Sequence, residues 1–339
     1  MKNISLEMLA KHIGVGVATV DRVLNERGGV SPATTRKVLQ AAREAGLKRI
    51  LPEEHRFPWQ VEVFLSGNDS FFFRQLAQDF AHVANGLGYR RITLHKTFVP
   101  ESQPEKLAQR IISSSKKRQA LIVFGNEHPA VYEALKQCQL RSVPVITLAT
   151  DLPGAARLCH VGINQLQAGR TAGIMMGRMV KGEGEVLMLS GREDYSAHRL
   201  RIQGFRDVLT QHFPSLQLRE VLAGQEDRAT ITRLLEKALS QRRDIVGIYN
   251  TGLGNTQIGE ALARHRRLGE LCWITHERYA TTRAYLARGS LALTLDQNTR
   301  QHAQLAMDLM LRHLEHGDAP HTYTAGKVDF ILYTSENVE

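Results

Sequence analysis

From residue 61 onward the chain alternates short apolar runs with stretches of helical periodicity, and few architectures accommodate that order. The runs VEVFL, RITLH, ALIVF and PVITLA are separated by helical stretches around Arg74 to Gly86, Pro104 to Ser114 and VYEALKQC. The alternation restarts with EVLMLS, LQLREVL, IVGIY, LCWIT and LALTL, separated by helices around Leu200 to Gln211, Ala229 to Leu239 and Ile258 to Arg264. A strand that reaches its neighbour through a helical crossover pairs in parallel, and a parallel sheet needs helices on both faces. About ten strands exceed the usual four to six of one sheet, so two lobes of similar size are expected. The boundary is placed near Val161: lobe 1 over about 61–160 plus 291–320, lobe 2 over about 161–290 plus 321–339. The end of the chain is expected to cross back, since Leu291 to Leu295 and Asp329 to Leu332 read as strands beyond both sets.

Residues 1–47 follow a different rule. Three helices are expected there: Leu6 to His12, Val17 to Leu24, and Pro32 to Ala45, the last with Ser31 as N-cap, Pro32 at its first position and Gly46 as its stop. Helices this short are marginal alone and must pack together. Leu6, Leu9, Ala10, Ile13, Val15, Val20 and Val23 supply an apolar seam with Gly14 at the turn, the pattern of a helix-turn-helix. The second helix then presents Val17, Ala18, Thr19, Asp21 and Arg22, where an Arg can grip guanine O6 and N7 and a methyl-bearing side chain can touch thymine. Gly16, Thr19, Asn25, Ser31, Thr34 and Arg36 sit where they can hold phosphates. The same spacing also fits a plain three-helix bundle whose basic face is merely solvated. Residues 48–60, charged and interrupted by Pro52 and Pro58, read as a linker.

Charge and composition agree with a globular chain that meets phosphate. The formal net charge is +10, and the first 60 residues hold ten Lys/Arg against six Asp/Glu. No stretch approaches the roughly 18 apolar residues of a membrane span, and MKNISLEMLAKHIG has no apolar signal region. Cys138, Cys159 and Cys272 are odd in number, far apart and set in apolar sequence, so they read as core thiols of a cytoplasmic protein. There is no Walker loop, CxxC, HExxH or nucleophile elbow, and the histidines lack metal-ligand spacing. Neither an enzyme, a cofactor nor a metal is expected.

Two lobes of parallel sheet gather their ligand at the carboxyl ends of the strands. The residues there are Asn68, Asp69, Phe71 and Phe72; Gly125 and Asn126; Thr150 and Asp151; Tyr195 and Arg199; Asn250 and Gly252; His276 and Glu277; Asp296 and Gln297. Carboxylates and amides bond adjacent hydroxyls while aromatic rings cover C–H faces, so the set suits a small polyhydroxylated molecule. Any one of these residues also fits a helix cap or a turn.

The stretch ISLEMLAKHIGVGVATVDRVLN followed by GGVSPATTRKVLQAAREAGL closely resembles the DNA-binding headpiece of the LacI/GalR transcription regulators. Residues 61 to about 330 resemble the type I periplasmic-sugar-binding fold that those regulators carry as effector domain, especially its ribose-binding branch. NDSFFF, PVITL, SAHRLRIQGF and LTLDQN are the matching segments. The resemblance implies an α-helical helix-turn-helix headpiece over 1–47 and an α/β two-lobed effector domain over 61–339 with parallel sheets. It implies that Val17, Ala18 and Arg22 read bases while Thr19, Asn25, Thr34 and Arg36 hold the DNA backbone. For the cleft it implies Asp69, Phe72, Arg199, Asn250, Glu277 and Gln297 as ligand contacts, with Asp151 and Tyr195 beside them. The partners implied are double-stranded operator DNA, a sugar-like effector and a second copy of the chain as homodimer, with no membrane. A sugar-binding protein without a regulatory role is the alternative. The sequence departs from the family at Gly16 and Asp21, where Ser is usual. It departs again after Gly46, where LKRILP replaces the hinge-helix motif and Leu51 stands in for its wedging leucine.

Overall fold

The computed structural model describes residues 5–25, 27, 29–47, 58–88, 91–322 and 324–338. The chain divides into two compact units, Met1–Gln60 with Ala84–Thr93 and Val61–Val83 with Leu94–Glu339. Most of the expected linker, and Leu51 with it, lies outside the described residues; Trp59 and Gln60 already belong to a strand.

Three helices open the chain: α1 (Leu6–Ile13), α2 (Val17–Leu24) and α3 (Pro32–Glu44). Ser5 Oγ accepts from the Met8 amide at 3.2 Å and Ser31 Oγ from the Thr34 amide at 3.2 Å, so both N-termini have the side-chain caps that their sequences call for. Gly14 ends α1 at φ +69°, a left-handed conformation that turns the chain at once into α2. Each helix contributes an apolar face to one core built on Leu9, Ile13, Val20, Leu24, Val38 and Leu39. At about 1.5–3 kcal/mol per buried side chain, this shared core holds helices that are too short to persist singly.

The remainder is β1 (Trp59–Ser66), α4 (Phe71–Leu87), β2 (Ile92–Val99), α5 (Pro104–Ser114), β3 (Ala120–Val123), α6 (Pro129–Leu140), β4 (Val145–Leu148) and β5 (Cys159–Ile163). Next come α7 (Gln165–Met179), β6 (Gly184–Ser190), α8 (Ser196–His212), β7 (Leu216–Ala223), α9 (Arg228–Gln241), β8 (Ile245–Asn250) and α10 (Asn255–Arg264). The chain closes with β9 (Cys272–His276), α11 (Ala280–Ala287), β10 (Leu293–Asp296), α12 (Thr299–His316), β11 (Lys327–Val328) and β12 (Ile331–Tyr333). Two six-stranded sheets result, ordered β11-β5-β4-β3-β1-β2 and β12-β10-β9-β8-β6-β7. The recorded pairings are parallel except for β10 with β12, which is antiparallel.

The backbone passes between the sheets after β5, after β10 and between β11 and β12. These crossings correct the expected allocation of the lobes. Residues 293–296 pair with β9 and so belong to the second sheet, not to lobe 1, whereas α12 packs on β4 and β5 of the first. Within 321–339 only β12 joins the second sheet, since β11 pairs with β5. The sequence reading also named no helix over α7 or α12. In α7, QLQAGRTAGIMMGRM carries Gly169, Gly173 and Gly177, which lower intrinsic helix propensity.

Tertiary contact requires two of the glycines at this crossing. A methyl group on Gly169 would lie 2.2 Å from the Arg201 carbonyl oxygen, and one on Gly204 would lie 2.2 Å from the Leu166 carbonyl oxygen. The helices α7 and α8 therefore cross backbone against backbone, and this sets how far α8 leans toward the sheet ends. Gly204→Ala is expected to cost about 3 kcal/mol, near the upper range for overpacking, because a carbonyl cannot yield as a side-chain tip does. Urea unfolding followed by the fluorescence of buried Trp273 measures it; an unchanged midpoint would rule out the close crossing.

Candidate functional site

The carboxyl ends of both sheets open on one cavity of about 530 Å³. From the first lobe come Phe71, Phe72 and Phe73 at the start of α4, Glu101 after β2 and Phe124 after β3. The second lobe supplies Tyr195, His198 and Arg201 around the start of α8, Glu226 after β7, Thr251 after β8, His276 and Glu277 at the end of β9, and Gln297 after β10. Two aromatic pairs bridge the lobes: Phe71 stacks on Tyr279 and Phe124 on Tyr195, each with centroids 5.0 Å apart. Such pairs add about 0.5–1.5 kcal/mol beyond the area they bury. At the rim, Arg228 Nη2 donates to the Asp69 carbonyl at 3.1 Å and its carboxylate at 3.3 Å, while Arg74 pairs with the same carboxylate.

Arg201 is 3% exposed. Its Nε donates to Gln165 Oε1 at 2.7 Å, Nη1 to the Thr251 carbonyl at 2.6 Å and Nη2 to Gln297 Oε1 at 2.7 Å. Gln165 begins α7 just past the first crossing and Gln297 follows β10 just before the second, so one guanidinium ties two inter-lobe crossings to the β8 loop. Gln297 Nε2 donates in turn to Glu277 Oε1 at 2.6 Å. Glu277 stands at φ +70°, a region uncommon for a residue with a Cβ. Its backbone is pinned there, the N–H on the Leu295 carbonyl at 3.1 Å and the C=O accepting from Thr282 at 2.8 Å and Thr294 at 3.1 Å. Burial pushes the Glu277 carboxyl up to about 8 and the Glu226 carboxyl up to about 7, with Asp296 adding to the first and Glu101 to the second. It also drives the His198 imidazole down to about 3, Arg201 adding to the effect, so that ring is neutral.

Ten of the sixteen strand-end residues line the cavity: Asn68, Asp69, Phe71, Phe72, Thr150, Tyr195, Gly252, His276, Glu277 and Gln297. Of the six that do not, three had been expected to contact the ligand. Asp151 turns back into its own lobe, accepting from Thr147 at 3.0 Å, the Leu152 amide at 2.8 Å and Arg157 at 2.8 Å. Asn250 is fully buried and shapes the β8–α10 turn through Gly252 at 3.0 Å and Asn255 at 2.8 Å. Arg199 points to the surface and bridges the lobes on Glu127 and the Glu193 carbonyl. Two positions on, about 200° around the helix, Arg201 takes the buried place that the sequence reading gave to Arg199. Glu101 and Glu226 were missed although they too follow strand ends; the same rule, applied to β2 and β7, finds them.

The second candidate surface is α2. Val17, Ala18 and Arg22 are exposed and Thr19 is half-buried, above the buried Val20, Val23 and Leu24. Asp21 is not an unpaired acid: Asn25 Nδ2 donates to it at 2.6 Å and Arg27 Nη1 at 2.8 Å. Thr34 Oγ1 and Ser31 Oγ share a hydrogen bond of 2.8 Å, and the Arg36 side chain lies outside the described residues. Among the described residues no cluster of His, Cys, Asp or Glu could hold a metal ion, and no helix is long and apolar enough to cross a membrane.

Comparison with known proteins places both parts. Residues 61–318 match the periplasmic binding protein domain, and residues 5–49 match the bacterial regulatory proteins of the lacI family. The chain is 23% identical over 257 residues to the HTH-type transcriptional regulator MalR of Clostridium butyricum, covering 72% of this chain and 73% of that one. With the ribose import binding protein RbsB of Haemophilus influenzae it shares 23% over 192 residues, 56% of this chain and 63% of RbsB. A solute binding protein of Burkholderia graminis, solved in complex with D-arabinose, superposes with TM-score 0.76 at 19% identity, over 83% of this chain and 96% of that one.

The two arginines of α8 should separate in stability. Arg201→Ala leaves three buried acceptors without a donor and is expected to cost about 3 kcal/mol or more. Arg199→Ala removes a rim pair and is expected to cost less than about 1 kcal/mol. Equal shifts in chemical denaturation would overturn the assignment.

Proposed function

We propose that this chain, which belongs to the lacI family of bacterial regulatory proteins and carries a periplasmic binding protein domain, is a sequence-specific DNA-binding repressor controlled by a small polyhydroxylated effector. The observation that carries the reading is the cleft. Aromatic pairs with centroids 5.0 Å apart line one cavity with carboxylate, amide and guanidinium groups at the strand ends of a chain that also presents an exposed face on α2. Stacked rings suit the C–H faces of a sugar-like ring, while Glu277, Gln297, Thr251 and Arg201 suit its hydroxyls.

On DNA, Arg22 reads a base edge in the major groove, with Val17 and Ala18 against thymine methyl groups. Thr19, Asn25, Thr34 and Arg36 hold phosphates and fix the register. The Asp21 carboxylate, held by Asn25 and Arg27, repels the phosphates less than a free acid would. The chain acts in the cytoplasm as a homodimer, so that two heads meet successive half-sites of a roughly palindromic operator. Effector and operator affinities are coupled reciprocally: an effector that prefers one arrangement of the lobes shifts DNA affinity by the factor by which DNA shifts its own. The family is regulatory, and no step of chemistry is assigned to the cleft.

Mobility-shift titration at fixed salt, against the DNA flanking its own gene, tests the reading. Arg22→Ala is expected to weaken the specific complex by about 1–3 kcal/mol, roughly ten- to a hundredfold, while non-specific binding changes little. Specific binding that survives this change intact would remove Arg22 from base reading, and no specific complex with the unaltered chain would favour a binding protein without a regulatory role.

A further inference from the structure

The cleft is short of positive charge. Four carboxylates line it; Asp69 is held at the rim by Arg74 and Arg228, and among the described residues the hydrogen bonds of the other three come from neutral donors. Glu101 takes Ser66 Oγ and Asn68 Nδ2, both at 2.6 Å, Glu226 the Leu253 amide at 3.3 Å, and Glu277 the Gln297 amide at 2.6 Å. The buried guanidinium, Arg201, spends its recorded bonds on neutral oxygens, and the other lining guanidiniums, Arg74 and Arg228, sit at the rim on Asp69.

Two further observations show acceptors awaiting a donor. Glu277 is only 8% exposed, and its Oε2 has no hydrogen-bond partner. Thr251 Oγ1 donates to Ser190 Oγ at 3.1 Å and must therefore accept from His198 Nδ1–H at 3.0 Å. That tautomer leaves His198 Nε2 as a bare lone pair, 3.7 Å from Glu226 Oε1. Two acceptors thus face each other without a proton donor between them.

The geometry points to an effector that bears a protonated amino group, an amino sugar or an aminated polyol, with its ammonium donating to Glu277 and a further N–H or O–H donor on the Glu226–His198 edge. This deepens the proposed function and rests on the cleft being the effector site. A neutral sugar leaves Glu101, Glu226 and Glu277 uncompensated, and a sugar acid adds one more carboxylate. In the free protein the deficit is met by protons. The Glu277 carboxyl is held up to about 8 by burial and Asp296 against Gln297 and Arg201; that of Glu226 is held up to about 7 by burial and Glu101 against the Leu253 amide, Arg201 and Arg192. An ammonium group favours the ionised carboxylates, so binding expels protons and affinity rises with pH, by up to about tenfold per unit for each proton released, until the free-protein values are passed.

Calorimetric titration of the full chain with matched pairs tests this: 1-amino-1-deoxy-D-glucitol against D-glucitol, D-glucosamine against D-glucose, and D-galactosamine against D-galactose. At least one aminated member is expected to bind tenfold or more tightly than its neutral counterpart. For the aminated glucitol, affinity should climb between about pH 6 and 8, since its alkyl amine stays protonated across that range. Glu277→Gln, which keeps shape, should lower the amine's affinity at least tenfold more than it lowers the neutral counterpart's; Glu226→Gln gives the same sign should the first variant fold poorly. Neutral sugars binding as tightly as their amines, or none of the three amines binding, overturns the proposal. The first of these outcomes leaves the repressor reading standing. An amine that binds as expected but leaves operator mobility unchanged supports the cleft chemistry and sinks the regulatory reading instead.

Discussion

Arg201 is the group on which the cleft depends. A buried guanidinium is costly to desolvate, and it is retained here with each of its three kinds of nitrogen bonded to an oxygen, two of them on the crossings between the lobes. Because Gln297 relays from Arg201 to Glu277, the placement of one carboxylate in the cavity follows from the placement of one arginine. That arginine is in turn placed by helix packing. Gly169 and Gly204 let α7 and α8 approach backbone to backbone, and α8 then carries Arg201 into the space between the sheets. Packing, hinge and ligand chemistry are linked through a single side chain.

Around this anchor the cleft is assembled from groups whose charges do not cancel. Burial favours the uncharged forms of Glu226, Glu277 and His198. An apolar replacement would avoid that cost at each position. The polar groups persist in a lining that also holds stacked aromatic rings, a mixture suited to a ligand with hydrophobic faces and hydrogen-bonding edges. In the N-terminal helices the economy is reversed: the apolar side chains go to one shared core and the charged ones stay in water, available for phosphate.

How much of this was legible in the residues depended on the range of the interactions involved. The three N-terminal helices were read closely because their signals are local: Ser31 caps, Gly14 and Gly46 stop, and the apolar seam follows the helical period. The alternation of strands and helices was read for the same reason. Helix α7 was passed over because its glycines are poor helix formers locally and serve contacts with a helix some thirty-five residues away. The cleft was legible as a set of positions, the residues after strand ends, but not as a set of roles. In SAHRLRIQGF both Arg199 and Arg201 are available, and only the rotation of α8 against the sheet decides which is buried. Asp151 and Asn250 stand at the right positions, yet both are saturated by neighbours that lie off the cavity, Arg157 for one and Asn255 for the other.

By itself the sequence determined the classes of element, their order, the two-lobed parallel architecture and the family, because periodicity, caps and turn residues act within a few positions along the chain. Only the tertiary structure decided to which sheet the strand at Leu293–Asp296 belongs, which arginine holds the crossings and which carboxylates share the cleft. Those are questions of which face of an element is turned inward and against what, and burial, with the dielectric change it brings, is a property of the packed molecule rather than of any stretch of it.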